Sequence, residues 1–179
     1  MYVMKQLEHK GIVKLYDTGK QGVMLKSSGA VVGNISYIVM EYIRGQVLFD
    51  LVATLGEHEG LGEVAGRFFM TQLLETIEYM HNQGIVHRDI KAENIMIDDQ
   101  MNVRLLDFGF ASHQNNNNLK NYLGTPAYMA PEIKQGLEYK GTEVDIFSLG
   151  VVLFIIVRGL FPFTEAKENN YWWKLLKSG

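Results

Sequence analysis

The sequence predicts an α+β fold, and three observations carry that prediction. Strand-like segments come first: "GIVKLYD" at residues 11–17, then "GVMLKSSGAVVGNISYIVMEY" at residues 22–42. A long segment at helical period follows, "EVAGRFFMTQLLETIEYMHNQG" at residues 63–84, with Phe69, Leu73, Ile77 and Met80 on one face. Later comes "IFSLGVVLFIIV", Ile146 to Val157, the most apolar run in the chain. It falls short of the roughly 20 residues that span a bilayer, so it reads as a buried core helix. Strands followed mostly by helix is the α+β layout.

In chain order, Val3, Met4 and Leu7 share one helical face, so residues 1–7 read as helix. A glycine break at Gly11 leads into the first strand. Residues 22–42 read as two strand segments joined by a Gly/Ser-rich connection, an extended hairpin. Gly45 marks a break, and "LFDLVATLG" is a short helix ending at Gly56. The long helix at residues 63–84 ends at Gly84, a residue suited to the left-handed position after a helix. Then come the short runs "IVH", "NIMID" and "NVRLLDFG". Asn115 to Asn118 form a low-complexity tract that reads as a mobile loop tip. Gly159 closes the apolar helix, "FPF" makes a stiff turn, and "NNYWWKLLKSG" is a final amphipathic helix. Trp172 and Trp173 on it read as core-facing ahead of the alternative, a docking surface for substrate or partner.

Composition narrows the function. Hydrophobic residues make up 47% and charged residues 21%, the balance of a globular chain long enough for one sizeable core. A net charge of −3 argues for neither a nucleic-acid nor a membrane partner. The absence of cysteine removes disulfides, thiolate metal sites and cysteine nucleophiles. It fits an intracellular protein, with the cytoplasm as the expected compartment. The charged N-terminal residues do not make a signal peptide.

The chemistry concentrates in "HRDIKAEN", residues 87–94, which places Asp89, Lys91 and Asn94 in one loop. Asp107 follows in "LLDFGFA". A carboxylate at Asp89 can orient a hydroxyl and accept its proton. An ammonium at Lys91 can neutralise developing negative charge. Asn94 and Asp107 offer hard oxygen ligands of the kind that hold Mg²⁺ together with phosphates. Together they are the parts of phosphoryl transfer. "GTPAYMAPE", Gly124 to Glu132, completes an ordered set whose spacing chance does not produce.

These motifs resemble the eukaryotic protein kinases, and the resemblance runs the length of the chain. "HRDIKAEN" looks like the catalytic loop, "DFG" the start of the activation segment and "APE" its end, while "DIFSLG" resembles the buried helix that anchors the loop. The resemblance implies a kinase-like fold: a partial N-terminal β lobe with its hinge over residues 1–43, and a mostly helical C-terminal lobe over residues 44–179 that lacks the last helices. It implies Asp89 as catalytic base and Asn94 and Asp107 as metal ligands. Lys91 marks the serine/threonine type, and Thr125 would support both Asp89 and Lys91. "YIVMEYIRG" resembles the strand and hinge that hold adenine, with Met40 at the gatekeeper position and backbone groups of Glu41 and Ile43 facing the adenine edge. Met96 would pack under the ring, and Glu93 joins the cofactor-binding set, with a second role in reading an arginine upstream of the target. Met4, Leu15, His87 and Phe108 fall where the family stacks four side chains through its core. Asp145 would hold the loop carrying His87 and Arg88. The nearest branch resembles the calcium/calmodulin-dependent group, in "LEHKGIVKLYD", "LFD", "HNQGIVHRDIKAENIM" and "GTPAYMAPEI". The implied cofactors are ATP and Mg²⁺, and the implied partner is a protein substrate.

The sequence departs from the family pattern in four places. Asn121 stands where many relatives carry an activating threonine, and Tyr122 is the sole hydroxyl between Ser112 and Thr125. The expectation is that loop phosphorylation does not switch this protein and that Arg88 lacks a phosphate partner. Val47 replaces a common glutamate. The connection over residues 22–36 is longer than usual. Neither a "GxGxxG" loop nor a "VAIK"-like lysine occurs, and the arginine that pairs with the glutamate of "APE" is absent, leaving Glu132 without it. A partner chain or flanking segments would then complete the fold. Two functions follow. One is a serine/threonine kinase domain in incomplete form, slow by itself. The other is a catalytically inactive, pseudokinase-like binding module or truncated gene product.

Overall fold

The structure is a computed structural model that describes residues 3–56, 59–114 and 119–178. Its elements bear out the α+β reading, with corrections at the boundaries. The expected first helix is, among the described residues, a single 3₁₀ turn over Val3–Gln6, with Val3 and Met4 buried. The strand expected at residues 11–17 does not stand alone. It starts at Leu15 and continues as β1, Leu15–Leu25, paired antiparallel to β2, Val31–Met40. "TGKQG" reads as a turn in isolation. In the hairpin its two glycines lie under the Tyr37 ring, where a Cβ at Gly19 would come within 2.5 Å of the ring. The register runs from Leu15 opposite Met40 to Leu25 opposite Val31, and the chain reverses through a turn closed by Lys26 N–H to Ala30 O.

Gly45 is not a break but the start of β3, Gly45–Val47. A Cβ there would sit 2.0 Å from the Ile97 carbonyl oxygen, so only glycine lets the two backbones approach. β3 pairs with β5, Ile95–Asp98, which pairs with β6, Val103–Leu105. The short strand β4, Ile85–Val86, pairs with β7, Ser112–His113. Helix α1 covers Leu48–Ala53. The long helix α2, Gly62–Asn82, packs on α4, Gly141–Arg158, which Gly159 ends at φ 71°. Between them the short α3, Pro131–Lys134, starts on the proline of "APE". β3, β7 and α3 are too short to show periodicity, which is why sequence reading misses them.

α2 and α4 bury one continuous core that includes Phe69, Leu73, Ile77, Met80, Leu149, Val152 and Ile156. Met4 and Phe108 are buried in it, Leu15 packs against it, and His87 is fully buried beside Phe108. The His87 and Phe108 rings meet edge to face at 5.0 Å. The last helix, α5, Tyr171–Ser178, buries none of its residues. Trp173 packs on Phe147 and Phe163, as expected of a core-facing residue. Trp172 does not: it is 58% exposed. The tract at 115–118 lies outside the described residues. Among the described residues no helix is long and apolar enough to cross a membrane.

Candidate active site

The loop at residues 87–94 leaves β4 and returns into β5, so both its ends are fixed by strands. Its backbone is held from below by Asp145 of α4. That carboxylate is fully buried and accepts hydrogen bonds from the N–H groups of His87 (2.9 Å) and Arg88 (2.8 Å), with His81 Nε2 at 2.9 Å from the same group. A charged acceptor shared by several donors is a strong anchor. It holds Arg88 in the left-handed region at φ 66°, a conformation that a non-glycine residue adopts only when its surroundings dictate it.

His87 is itself buried. Nδ1 accepts from the Asp89 N–H at 3.3 Å, and Nε2 lies 3.1 Å from the Leu106 carbonyl. Those two bonds assign the proton to Nε2 of a neutral ring. Burial holds its pKa below the ordinary histidine value, against the pull of Asp145, Asp89 and Asp107.

Four of the predicted residues come together. Lys91 Nζ donates to Thr125 Oγ1 at 2.9 Å, and Thr125 Oγ1 donates to Asp89 Oδ1 at 2.9 Å. Lys91 Nζ also lies 2.9 Å from Asp89 Oδ2. Asn94 Nδ2 donates to both the Asp89 carbonyl (3.0 Å) and Asp89 Oδ2 (3.2 Å). Asp89 is only 6% exposed, and both of its carboxylate oxygens are engaged. Counting acceptor sites, Oδ2 is saturated while Oδ1 keeps one lone pair. Both amide hydrogens of Asn94 are committed to Asp89, which leaves its Oδ1 as a hard oxygen donor.

Asp107 does not hydrogen-bond to that group. It sits exposed at φ 47°, with Oδ1 accepting the Gly109 N–H at 3.0 Å. Among the described residues its second oxygen accepts no hydrogen bond, which leaves it open to a hard cation. Among the described residues no cluster of three or more His, Cys, Asp or Glu side chains could hold a metal by itself. The donor set therefore fits Mg²⁺ that arrives with phosphate oxygens as ligands, not one caged by protein.

The predicted hinge residues behave differently from one another. Met40 ends β2 and is 45% exposed, so core packing does not explain it. Met96 is half-buried on β5, opposite Val47 and Arg104. Ile43 is buried. Glu41 turns its side chain away from the hinge: Oε1 pairs with Arg104 at 3.0 Å and Oε2 accepts the Lys14 N–H at 3.2 Å. Its N–H donates to the Lys14 carbonyl. The Glu41 carbonyl and the Ile43 N–H make no hydrogen bond among the described residues. Glu93 accepts from the Tyr128 hydroxyl at 2.7 Å, which makes it more than a freely solvated loop carboxylate.

Tyr128, in "GTPAYMAPE", is the functional neighbour that sequence reading misses. Its hydroxyl also receives the Ala92 N–H at 3.4 Å, and Ser148 of α4 donates to its carbonyl at 2.9 Å. Burial, then the Glu93 carboxylate, raises its pKa. A buried tyrosine between two motifs was the available signal, since its hydroxyl must find a partner. Arg88 has partners too: Nε donates to the Phe110 carbonyl at 2.7 Å. Glu132 is half-buried and starts α3 beside Pro131.

A family model described as "Protein kinase domain" matches residues 1–178. Serine/threonine-protein kinase SIK1 of Rattus norvegicus is 40% identical over 162 residues, covering 90% of this chain and 19% of the relative. Serine/threonine-protein kinase SIK2 of Gallus gallus is 40% identical over 90% of this chain and 18% of the relative. Serine/threonine-protein kinase kin-29 of Caenorhabditis elegans is 38% identical over 94% of this chain and 19% of the relative. The chain thus spans about a fifth of the length of the curated relatives it matches. With the motifs, the loop geometry and a match over nearly every residue in agreement, the chain belongs to the protein kinase family.

Proposed function

We propose that the chain transfers the terminal phosphoryl group of Mg-ATP to a serine or threonine hydroxyl of a protein. The observation that carries this reading is the partial saturation of Asp89. Thr125, Lys91 and Asn94 fix its carboxylate and leave one acceptor position, on Oδ1. A substrate hydroxyl donating there has its oxygen aimed along one direction. As that oxygen bonds to the γ-phosphorus, the bond from phosphorus to the β–γ bridging oxygen breaks and ADP leaves. The hydroxyl proton passes to Asp89. Lys91 stands beside the carboxylate and supplies positive charge where the transferring group develops its negative charge.

Asn94 Oδ1 and the Asp107 carboxylate would hold Mg²⁺, which neutralises phosphate charge when bound. The incompletely buried Met40 and Met96 offer apolar surface to an adenine ring. The unengaged Glu41 carbonyl and Ile43 N–H offer one acceptor and one donor to its edge. Glu93, tethered by Tyr128, borders the same site and presents a carboxylate to a basic residue of the substrate. Residues 1–43 and 44–179 then serve as the two lobes around the nucleotide.

The test uses the full chain with radiolabelled ATP, Mg²⁺ and a degenerate serine/threonine peptide mixture. Label appears as phosphoserine or phosphothreonine, and Asp89→Asn lowers the rate by about 10²–10⁴ at a temperature where circular dichroism shows the variant folded. Equal rates in the wild type and Asp89→Asn would sink the reading.

A further inference from the structure

Helices α2 and α4 leave an open trough between them, far from Asp89. It is a cavity of about 740 Å³ whose apolar wall includes Met70, Leu74, Leu153 and Val157. Thr71 and Leu74 also line a second hollow of about 430 Å³, so the two form one groove that runs on to Glu75, Glu78 and Ile146. Leu74, Ile146 and Leu153 are exposed along it. Gly150 lines it too, inside α4 and between Ile146 and Leu153 on the same face. A glycine within a helix costs stability relative to alanine, and a Cβ here would meet nothing within 4 Å. No close approach within the chain requires it. It leaves a dent in the wall of the groove.

The same chain carries a helix that suits such a groove. α5 buries none of its residues. Trp172, Leu175 and Leu176 stand at i, i+3 and i+4 and are each about half exposed. That is the spacing by which an amphipathic helix anchors in an apolar groove. Trp173 holds α5 on Phe147 and Phe163, and no residue of α5 lines the groove of its own chain. The charges match as well. α5 contains Lys174 and Lys177 and no acidic residue, whereas the Ile146 end of the groove carries Glu75 and Glu78. Glu75 pairs with Lys10 and Lys177 with Glu168; among the described residues Glu78 and Lys174 make no ion pair.

We propose that α5 of one copy of this chain docks in the α2–α4 groove of a second copy. Trp172, Leu175 and Leu176 enter the trough, and Lys174 faces Glu78. The contact is heterologous, with the helix on one molecule and the groove on the other. It goes beyond the phosphoryl-transfer reading and uses none of its residues.

The experiment is sedimentation velocity of the full chain at concentrations up to about 100 μM, where association should grow with concentration. Trp172→Ala should weaken it by about thirtyfold, the loss expected on truncating a central aromatic anchor. Leu176→Glu on the helix and Leu153→Glu in the groove should each give monomers. Both side chains are exposed in the single chain, so circular dichroism melts should hardly move. Leu74→Glu serves in the groove if Leu153→Glu does not fold. The decisive arm mixes the two monomeric variants. The helix variant keeps an intact groove and the groove variant an intact helix, so the mixture should form one-to-one pairs. Glu78→Lys should weaken association of the otherwise unaltered chain, and adding Lys174→Glu should restore it. A monomer at every concentration overturns the proposal. So does association that only one of the two variants abolishes, which marks pairing through another surface, and so does a mixture whose components stay apart. A charge exchange without effect overturns the placement of Lys174 on Glu78 and the proposal with it.

Discussion

The loop at residues 87–94 and the β1–β2 hairpin are built from similar short extended segments, yet they are held in opposite ways. The loop is tied to α4 through Asp145, to the core through His87, and to residue 125 through Lys91 and Asp89. Each tie comes from a different element, and most are buried. The hairpin is a sheet of only two strands. Its apolar side chains face outward: Val23, Leu25 and Val31 are each about 70% exposed. A two-stranded ribbon without a packed face draws little stability from burial. The contrast shows that precision here follows the number of independent anchors on a segment, not its secondary structure.

The largest effect that should break this contrast is at the anchor itself. Asp145→Ala leaves the His87 and Arg88 N–H groups without their acceptor and His81 without its partner. It should lower stability by about 3–5 kcal/mol, as loss of one member of a buried charged network does. Urea melts followed by circular dichroism give the value. A loss below about 1 kcal/mol would mean that the loop is held by something other than α4.

A smaller effect comes from acid. His87 is kept neutral in the fold by burial, whereas in the unfolded chain it titrates near 6.5. Below that pH the unfolded state binds a proton that the folded state resists, so stability falls as pH drops from 7 to 5. His9, also held low, first by burial, adds to the same slope. His87→Phe should flatten the dependence of the urea midpoint on pH, leaving the His9 part. An unchanged slope would place the proton uptake elsewhere.

The smallest effect belongs to the hairpin. Leu25→Ala removes a side chain that is mostly in water, so it should change stability by less than about 0.5 kcal/mol. A larger loss would show that the hairpin carries a packed face after all.

Much of the site was legible because its chemistry sits within short loops. Lys91 lies two residues from Asp89, and the spacing already brought them to one place. Thr125 came from a motif whose order along the chain matched. The same reading failed where the fold picks the partner. Nothing local tells that Tyr128 meets Glu93, that Tyr139 reaches Asn121, or that Glu41 turns toward Arg104. The merger of two expected strands into β1 failed for a similar reason. "TGKQG" has turn chemistry by itself, and only the cross-strand Tyr37 ring explains the glycines. Trp172 and Trp173 are adjacent and chemically alike, yet only one packs, because α5 meets the core along a single edge. Periodicity gives the face of a helix; it does not give the width of the surface that receives it.

The hairpin turn between Leu25 and Val31 also sets a rule of parity. Met40 lies opposite Leu15 at the base of the ribbon, and each step of one residue along a strand reverses the face a side chain occupies. Residues added to or removed from the turn end in matched pairs, one on each strand, keep every pairing below them in phase. A single residue added to one strand flips the outward set inward unless a bulge absorbs it. The ribbon already contains such irregularities, between Leu15 and Asp17 and on either side of Gly22. Length in this hairpin is therefore free to drift in twos, and each odd step must be answered by a bulge before the shift reaches Met40.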